Sequence, residues 1–441
     1  MNFHFILEQP GIIQVLKDEI PKWKATGHKI FMVCNNRKIP VELNQDIVFM
    51  EWLLPDKSVL EDRLDYVLSN ALEAGLRIDV DESYKQKLVE SALGLSSAQA
   101  ENAFSLSVIQ KGDLDPVVIS EFKAQAYLKS GILELEFPRS MDNFKGYDAL
   151  QTYIKGIAAN FHNPSQYKLP SPRGILLVGL PGTGKTMASK CIASALNTVL
   201  LKVDLGKVMD QYVGGSERNI RSLLAIAERM APVVLRIDEI EKQMGGMGTT
   251  GNLDSGVGSR VFGTILSWMQ DHTSLVYLVA TANNIDMLRP ELLRKGRFDE
   301  IFFIGLPNAK ERLEILLYHL ESRVSLTSII CNDITPEWLE KIIPCIEGWS
   351  GSEIEQLVVS SLRKYESWQR LTCTNNGIED DPGLLPCYLI EEVENTVPLS
   401  ILKKGDIERI TIWAKESKIR NASERRTIPS KANRVMNFRR E

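Results

Sequence analysis

Between Gly174 and Leu196 the chain reads GILLVGLPGTGKTMASKCIASAL, and this segment constrains the fold more than any other. A short apolar run, Ile175 to Val178, leads into G-x-x-x-x-G-K-T. An Ala- and Leu-rich stretch starting at Met187 follows. That order predicts a buried strand, a loop and a helix, the opening unit of a parallel α/β sheet. Glycines in the loop let backbone N–H groups turn inward without a Cβ clash. The helix start adds the positive end of its dipole. Such a loop suits the phosphates of ATP. The candidate nucleotide-binding residues are Gly179, Leu180, Pro181, Gly182, Thr183, Gly184, Lys185, Thr186 and Met187. Among them Lys185 reaches the β/γ-phosphates, and the Thr186 hydroxyl ligates Mg²⁺.

A Mg·ATP site also needs a carboxylate at the end of a second strand. The run Val233-Val-Leu-Arg-Ile-Asp238-Glu239 supplies it. Asp238 is the second candidate metal residue, and Glu239 is placed as general base toward an attacking water. Two acids after a β-branched run also occur at ordinary strand ends. Arg236 is out of place in so apolar a strand; a sheet edge or a partner would each account for it. A third strand, Leu275-Val-Tyr-Leu-Val-Ala-Thr-Ala, ends at Asn283, whose amide suits orienting water. Arg294 and Arg297 follow one helical turn apart. Their guanidinium forks suit charge on a transferring phosphoryl group, though alone they read equally as surface ion-pair residues.

Composition narrows the class. The chain has 441 residues, 44% hydrophobic and 25% charged, enough for two or three domains with large cores. A net charge of −5 gives no general basic surface, so nucleic acid is an unlikely partner. The end of the chain departs from this: Lys415 to Glu441 carries nine Lys/Arg against three Glu. That tail reads as solvated, or as a contact for an acidic partner. No stretch is long and apolar enough to span a membrane, and the start lacks the pattern of a secretory signal. Six scattered cysteines without a CxxC pair read as reduced thiols, and the absence of HExxH argues against a zinc hydrolase.

The phosphate loop, the Asp238–Glu239 strand, Asn283 and the LLRKGRFD segment at 292–299, in this order, resemble the AAA family of ATPases. The resemblance runs from about Glu136 to Ser400 and is densest over Gly174–Pro307. It implies a P-loop AAA+ module: a parallel sheet with flanking helices at 136–307, a helical lid at 308–400, then a helix and basic tail at 401–441. It also implies ATP and Mg²⁺ as cofactors and a hexameric ring in which Arg294 and Arg297 reach the next subunit's nucleotide. The partner it implies is a protein substrate. Asp142 to Gly146 matches the segment whose backbone borders the adenine. Tyr212-Val213-Gly214 matches a pore loop that grips polypeptide, or else anchors a helix start. The Gly/Thr/Ser-rich stretch 244–258 reads as a second pore loop or a plain linker. Gly348 to Glu353 resembles the family's lid motif, without a sensor arginine. The wording of VATANNID, SRVFGTILSWM and IERITIWAKE is similar to the "hypothetical chloroplast open reading frame" AAA ATPases of cyanobacteria, algal plastids and related bacteria. That likeness implies a cytoplasmic setting, or the stroma for a plastid-encoded chain.

The first third echoes the later part. His28-KIFMVC-Asn35-Asn36 parallels LVYLVATA-Asn283-Asn284. DIVFMEWL-Leu54-Pro55 parallels DEIFFIG-Leu306-Pro307, and Gly94-LSSAQAENAF parallels Gly348-WSGSEIEQLV. No phosphate loop and no Asp-Glu strand accompany this copy. Residues 1–135 are therefore expected to be a degenerate, truncated AAA-like α/β domain without nucleotide, with Ile30–Val33 and Ile47–Trp52 as neighbouring strands. Two functions fit the whole: an ATPase that remodels or translocates a protein, or a regulatory switch whose ATP state gates partner binding without threading.

Overall fold

The computed structural model describes residues 9–32, 40–48, 50, 54–127, 133–162, 170–209, 216–242, 255–294, 296–323, 334, 336–374 and 385–423. The chain divides into two compact units, Met1–Leu54 and Pro55–Glu441. In the first unit, helix α1 (Pro10–Thr26) starts on a proline and ends at Gly27 in the left-handed conformation. A short 3₁₀ turn follows at Val41–Leu43.

Among the described residues of this unit no strand appears where two were expected. Residues 30–32, 47, 48 and 50 are irregular, and the rest of both segments lies outside the described residues. Ile30, Phe31, Val48 and Met50 are all exposed. Among the described residues before Leu133 every regular element is helical.

The second unit opens with four helices: α2 (Lys57–Glu73), α3 (Glu82–Ala92), α4 (Ser97–Lys111) and α5 (Pro116–Tyr127). Leu60, Leu64, Leu88, Leu95, Phe104 and Ile119 close their shared core. The helical half of the internal echo is thus present in detail. Asp56 caps α2 after Leu54-Pro55, and Asn308 caps α11 (Ala309–Glu321) after Leu306-Pro307. Gly94 and Gly348 both adopt left-handed φ, at 92° and 79°. Each precedes a helix whose first turn is held by a serine: Ser96 with Gln99, and Ser350 with Glu353.

The centre is a seven-stranded sheet in the order β1-β3-β4-β5-β2-β6-β7. Its strands are β1 (Leu133–Glu136), β2 (Gly174–Gly179), β3 (Val199–Val203), β4 (Val233–Ile237), β5 (Val276–Ala282), β6 (Glu300–Ile304) and β7 (Arg420–Asn421). β1 runs antiparallel to β3, and all other pairs are parallel. β2, β4 and β5 are buried along their whole length, as continuous apolar runs in a doubly covered sheet should be. Ile175 and Leu177 face α6 (Asp148–Phe161) and α7 (Lys185–Ala195). Leu176 and Val178 face α9 (Ser216–Arg229) and α10 (Ser255–Asp271). The sheet starts at Leu133, so β1 straddles the boundary expected at 135.

The lid is built from α11, α12 (Pro336–Cys345), α13 (Gly351–Thr374) and α14 (Leu385–Asn395), packed around Trp349. A last helix, Lys404–Glu416, lays Ile410 and Ala414 against the main core.

Candidate functional site

The topology sends three chemically loaded loops to one edge. β2 lies between β5 and β6, with Val178 paired to Ala282 and Gly179 to Ile304. β4 flanks β5, with Ile237 opposite Ala280. Gly179, Asp238 and Asn283 therefore leave the carboxyl ends of adjacent strands, where open α/β sheets bind ligands.

The loop after β2 needs its glycines. Gly182 and Gly184 have φ of 80° and 94°. A Cβ on Gly182 would stand 2.3 Å from Ser352 Oγ at the start of α13, and one on Gly179 would stand 2.2 Å from the Ile304 carbonyl oxygen. Thr183 Oγ1 donates to the Leu180 carbonyl at 2.8 Å, tying the loop back on itself. Lys185 is 7% exposed, and its Nζ donates to the Gly179 and Leu180 carbonyls at 2.8 and 2.5 Å. Burial pulls its ammonium down to about 8, against the opposing pull of the Glu241, Glu239 and Asp238 carboxylates.

The back of the loop rests on Tyr147. Its hydroxyl donates to the Thr183 carbonyl at 2.9 Å, and its ring stacks on Phe144 with centroids 5.6 Å apart. The backbone N–H of Tyr147 donates to Glu311 Oε1 at 2.8 Å, and that of Gly146 to Glu314 Oε2 at 3.1 Å. The 142–147 segment is thus clamped between phosphate loop and lid.

At the end of β4, Glu239 sits at φ 49°. Its N–H donates to Thr281 Oγ1 at 3.1 Å, and Thr281 in turn donates to Asp238 Oδ1 at 3.2 Å. Asn283 Nδ2 donates to Glu239 Oε1 at 2.6 Å, and Lys242 Nζ lies 2.5 Å from Glu239 Oε2. The predicted general base and the predicted water-orienting amide are therefore in direct contact. Glu241, 1% exposed, braces the loop by accepting from the N–H groups of Asn283 and Asn284 at 2.8 and 3.2 Å.

Arg236 is not at a sheet edge. It is buried, and its guanidinium joins Glu136 of β1 to Asp238. Nε donates to Asp238 Oδ1 at 2.8 Å, and Nη2 reaches both Asp238 Oδ2 and, at 3.4 Å, Thr186 Oγ1. One nitrogen touching both side chains shows that Thr186 and Asp238 converge on a single spot.

These residues fit a Mg·polyphosphate. The glycine backbone and the buried ammonium suit phosphate oxygens, and a hydroxyl with a carboxylate are hard oxygen donors suited to Mg²⁺. Among the described residues no group of three or more His, Cys, Asp or Glu could hold a metal unaided. Thr186 and Asp238 would therefore hold the ion together with phosphate oxygens and water.

Arg294 and Arg297 stand apart from this cluster. Arg294 is exposed on the surface. Arg297 donates to the Glu291 carbonyl at 2.8 Å, while its buried Nε has no hydrogen-bond partner. Tyr212-Val213-Gly214 and 244–254 lie outside the described residues. Sequence reasoning did not single out Glu241, Thr281, Tyr147 or Glu311. The signal available was the third acid of Asp238-Glu-Ile-Glu241, two residues beyond the base.

A sheet of this order with a phosphate loop after an interior strand and a helical lid defines a AAA-type ATPase module. The chain belongs to the AAA ATPase family. Residues 175–306 match the ATPase family associated with various cellular activities (AAA), and residues 62–130 match the second domain of SpoVK-like AAA ATPases. Over 429 residues the chain is 32% identical to the "Uncharacterized AAA domain-containing protein ycf46" of Guillardia theta, covering 96% of this chain and 79% of that protein. It is 28% identical over 367 residues to the proteasome-activating nucleotidase of Saccharolobus solfataricus, covering 80% of this chain and 86% of that one. The crystal structure of the FIGL-1 AAA domain is similar in fold, with a TM-score of 0.53 at 21% identity over 66% of this chain and 94% of that one.

Proposed function

We propose that this chain hydrolyses ATP to ADP and phosphate and uses the cycle to remodel or translocate a protein partner from within a ring. The observation that carries the chemistry is the Asn283–Glu239 contact at 2.6 Å, at the strand ends that also present Lys185 and Asp238. Lys185 binds the β/γ-phosphates. Glu239 Oε2 or Oε1 accepts the proton of the attacking water, with Asn283 Nδ2 holding the carboxylate in place. Thr186 and Asp238 would hold Mg²⁺, which when bound neutralises charge on the phosphate oxygens. The exposed Arg294 and the half-buried Arg297 serve the neighbouring subunit's nucleotide.

Lys185→Ala should abolish binding of a fluorescent ATP analogue. Glu239→Gln should keep it and lose about 10²–10⁴-fold in phosphate release. Undiminished turnover in Glu239→Gln would remove the assignment. Tyr212→Ala separates remodelling from a switch: partner-dependent work fails while basal ATPase persists if the ring threads a chain.

A further inference from the structure

Arg236 occupies ground that the proposed chemistry assigns to a metal ion. It lies inside an otherwise apolar strand, two residues before Asp238, and alternation along β4 puts both side chains on the same face of the sheet as Val234, toward α7. The residue is 4% exposed. Its fork is fully engaged. Nη1 pairs with Glu136 Oε2, Nε with Asp238 Oδ1 at 2.8 Å, and Nη2 with Asp238 Oδ2, with Thr186 Oγ1 at 3.4 Å. Both oxygens of Asp238 are thereby spoken for by one guanidinium, Oδ1 also taking the Thr281 hydroxyl at 3.2 Å.

We propose that Arg236 is an internal competitor of Mg²⁺: a positioning residue that neutralises Asp238 and sets how much Mg²⁺ the site needs. The inference rests on reading Thr186 and Asp238 as the protein's metal ligands. A guanidinium carries a fixed positive charge at any physiological pH and cannot leave by losing a proton. Mg²⁺ can use the Asp238 carboxylate only where the guanidinium yields it. Glu136 decides how readily that happens. It offers the guanidinium a second carboxylate, at the far side of the fork and 100 residues away in sequence. With Glu136 present, Arg236 can swing its charge toward β1 and release Asp238. Without it, Asp238 is the guanidinium's only anionic partner. The geometry therefore makes Glu136 and Arg236 act in opposite directions on the same ion.

The test is a Mg²⁺ titration of fluorescent ADP binding to the full-length chain, which reads metal affinity and not turnover. In Arg236→Met the Mg²⁺ concentration for half-maximal binding should fall by about tenfold, the scale of one unit charge removed beside a metal-holding carboxylate. In Glu136→Gln it should rise, because the guanidinium then rests on Asp238 alone. Matching melting profiles would confirm that both variants fold, and Arg236→Lys, which keeps the charge but not the fork, should stay near wild type. A midpoint unmoved in both variants, or moved in the same direction in both, would overturn the proposal. Wild-type protein that binds ADP equally with and without Mg²⁺ would overturn the metal-site reading, and this inference with it.

Discussion

At the residue scale, the site is held by small polar contacts that sequence motifs do not record. Glu241 is the clearest. Its Oε1 accepts two backbone N–H groups at the turn that presents Asn283, and the residue is buried. In Glu241→Ala both donors lose their partner, which costs about 1–3 kcal/mol for each buried group left unsatisfied. The expected outcome is a lower melting temperature together with a kcat loss that exceeds any change in ATP affinity, because Asn283 no longer holds Glu239. Steady-state ATPase assays beside nucleotide titrations check it; an unchanged kcat would show that the turn keeps its geometry without the brace. The candidate phosphate-binding residues were legible from the sequence because glycine, lysine and hydroxyl spacing follows directly from what a phosphate requires. The bracing residues were not, because a carboxylate that accepts backbone N–H groups leaves no spacing rule. Arg236 was visible as an anomaly, but its two partners come from β1 and from the end of its own strand, and only the assembled sheet brings them together.

At the element scale, the four-helix module α2–α5 is locked to the ATPase core. Lys123 of α5 is 1% exposed, and its Nζ donates to the Ala231 carbonyl at 3.0 Å, just before β4. Burial pulls this lysine down to about 7. The folded chain therefore releases the proton near pH 7, whereas the unfolded chain holds it to about 10.4. Between those limits the unfolded state binds more protons, so the lysine's contribution to stability increases as pH rises, by about 1.4 kcal/mol per pH unit. Lys123→Met removes that dependence. Relative to the variant, wild type should gain stability from pH 7 to pH 9.5 in denaturant titrations; parallel curves would refute the shift. The helices themselves were partly readable: Gly94 and Gly348 each precede a serine-capped helix, as the echo between them suggested. The strands expected at 30–33 and 47–52 were not found in their described residues. An apolar run forms a strand only where a second layer covers it, and Phe31, Val48 and Met50 face solvent.

At the scale of the whole molecule, Arg294 and Arg297 stand apart from the candidate site of their own chain. Arg294 is exposed and Arg297 hydrogen-bonds the Glu291 carbonyl, with its Nε left over. In the proposed ring these side chains would serve a neighbour. Arg294→Ala and Arg297→Ala should each bind ATP as wild type does and hydrolyse it more slowly by about 10³-fold or more, the scale on which such arginines act. Mixing either with Lys185→Ala should restore part of the rate, since each supplies what the other lacks. Full activity from a strictly monomeric wild-type protein would exclude this arrangement. No described helix is long and apolar enough to cross a membrane. The packing around Gly94 carries a practical consequence. A Cβ there would meet the Arg229 carbonyl oxygen at 2.3 Å, so helix module and sheet touch backbone to backbone at the end of α9. A protease or a cloning primer that separates them at residue 135 would split β1, uncover the edge of β3 and expose the seam beneath Gly94. A fragment that keeps β1 and this seam whole begins ahead of Lys57, so the helices that echo the lid belong with the sheet they pack against.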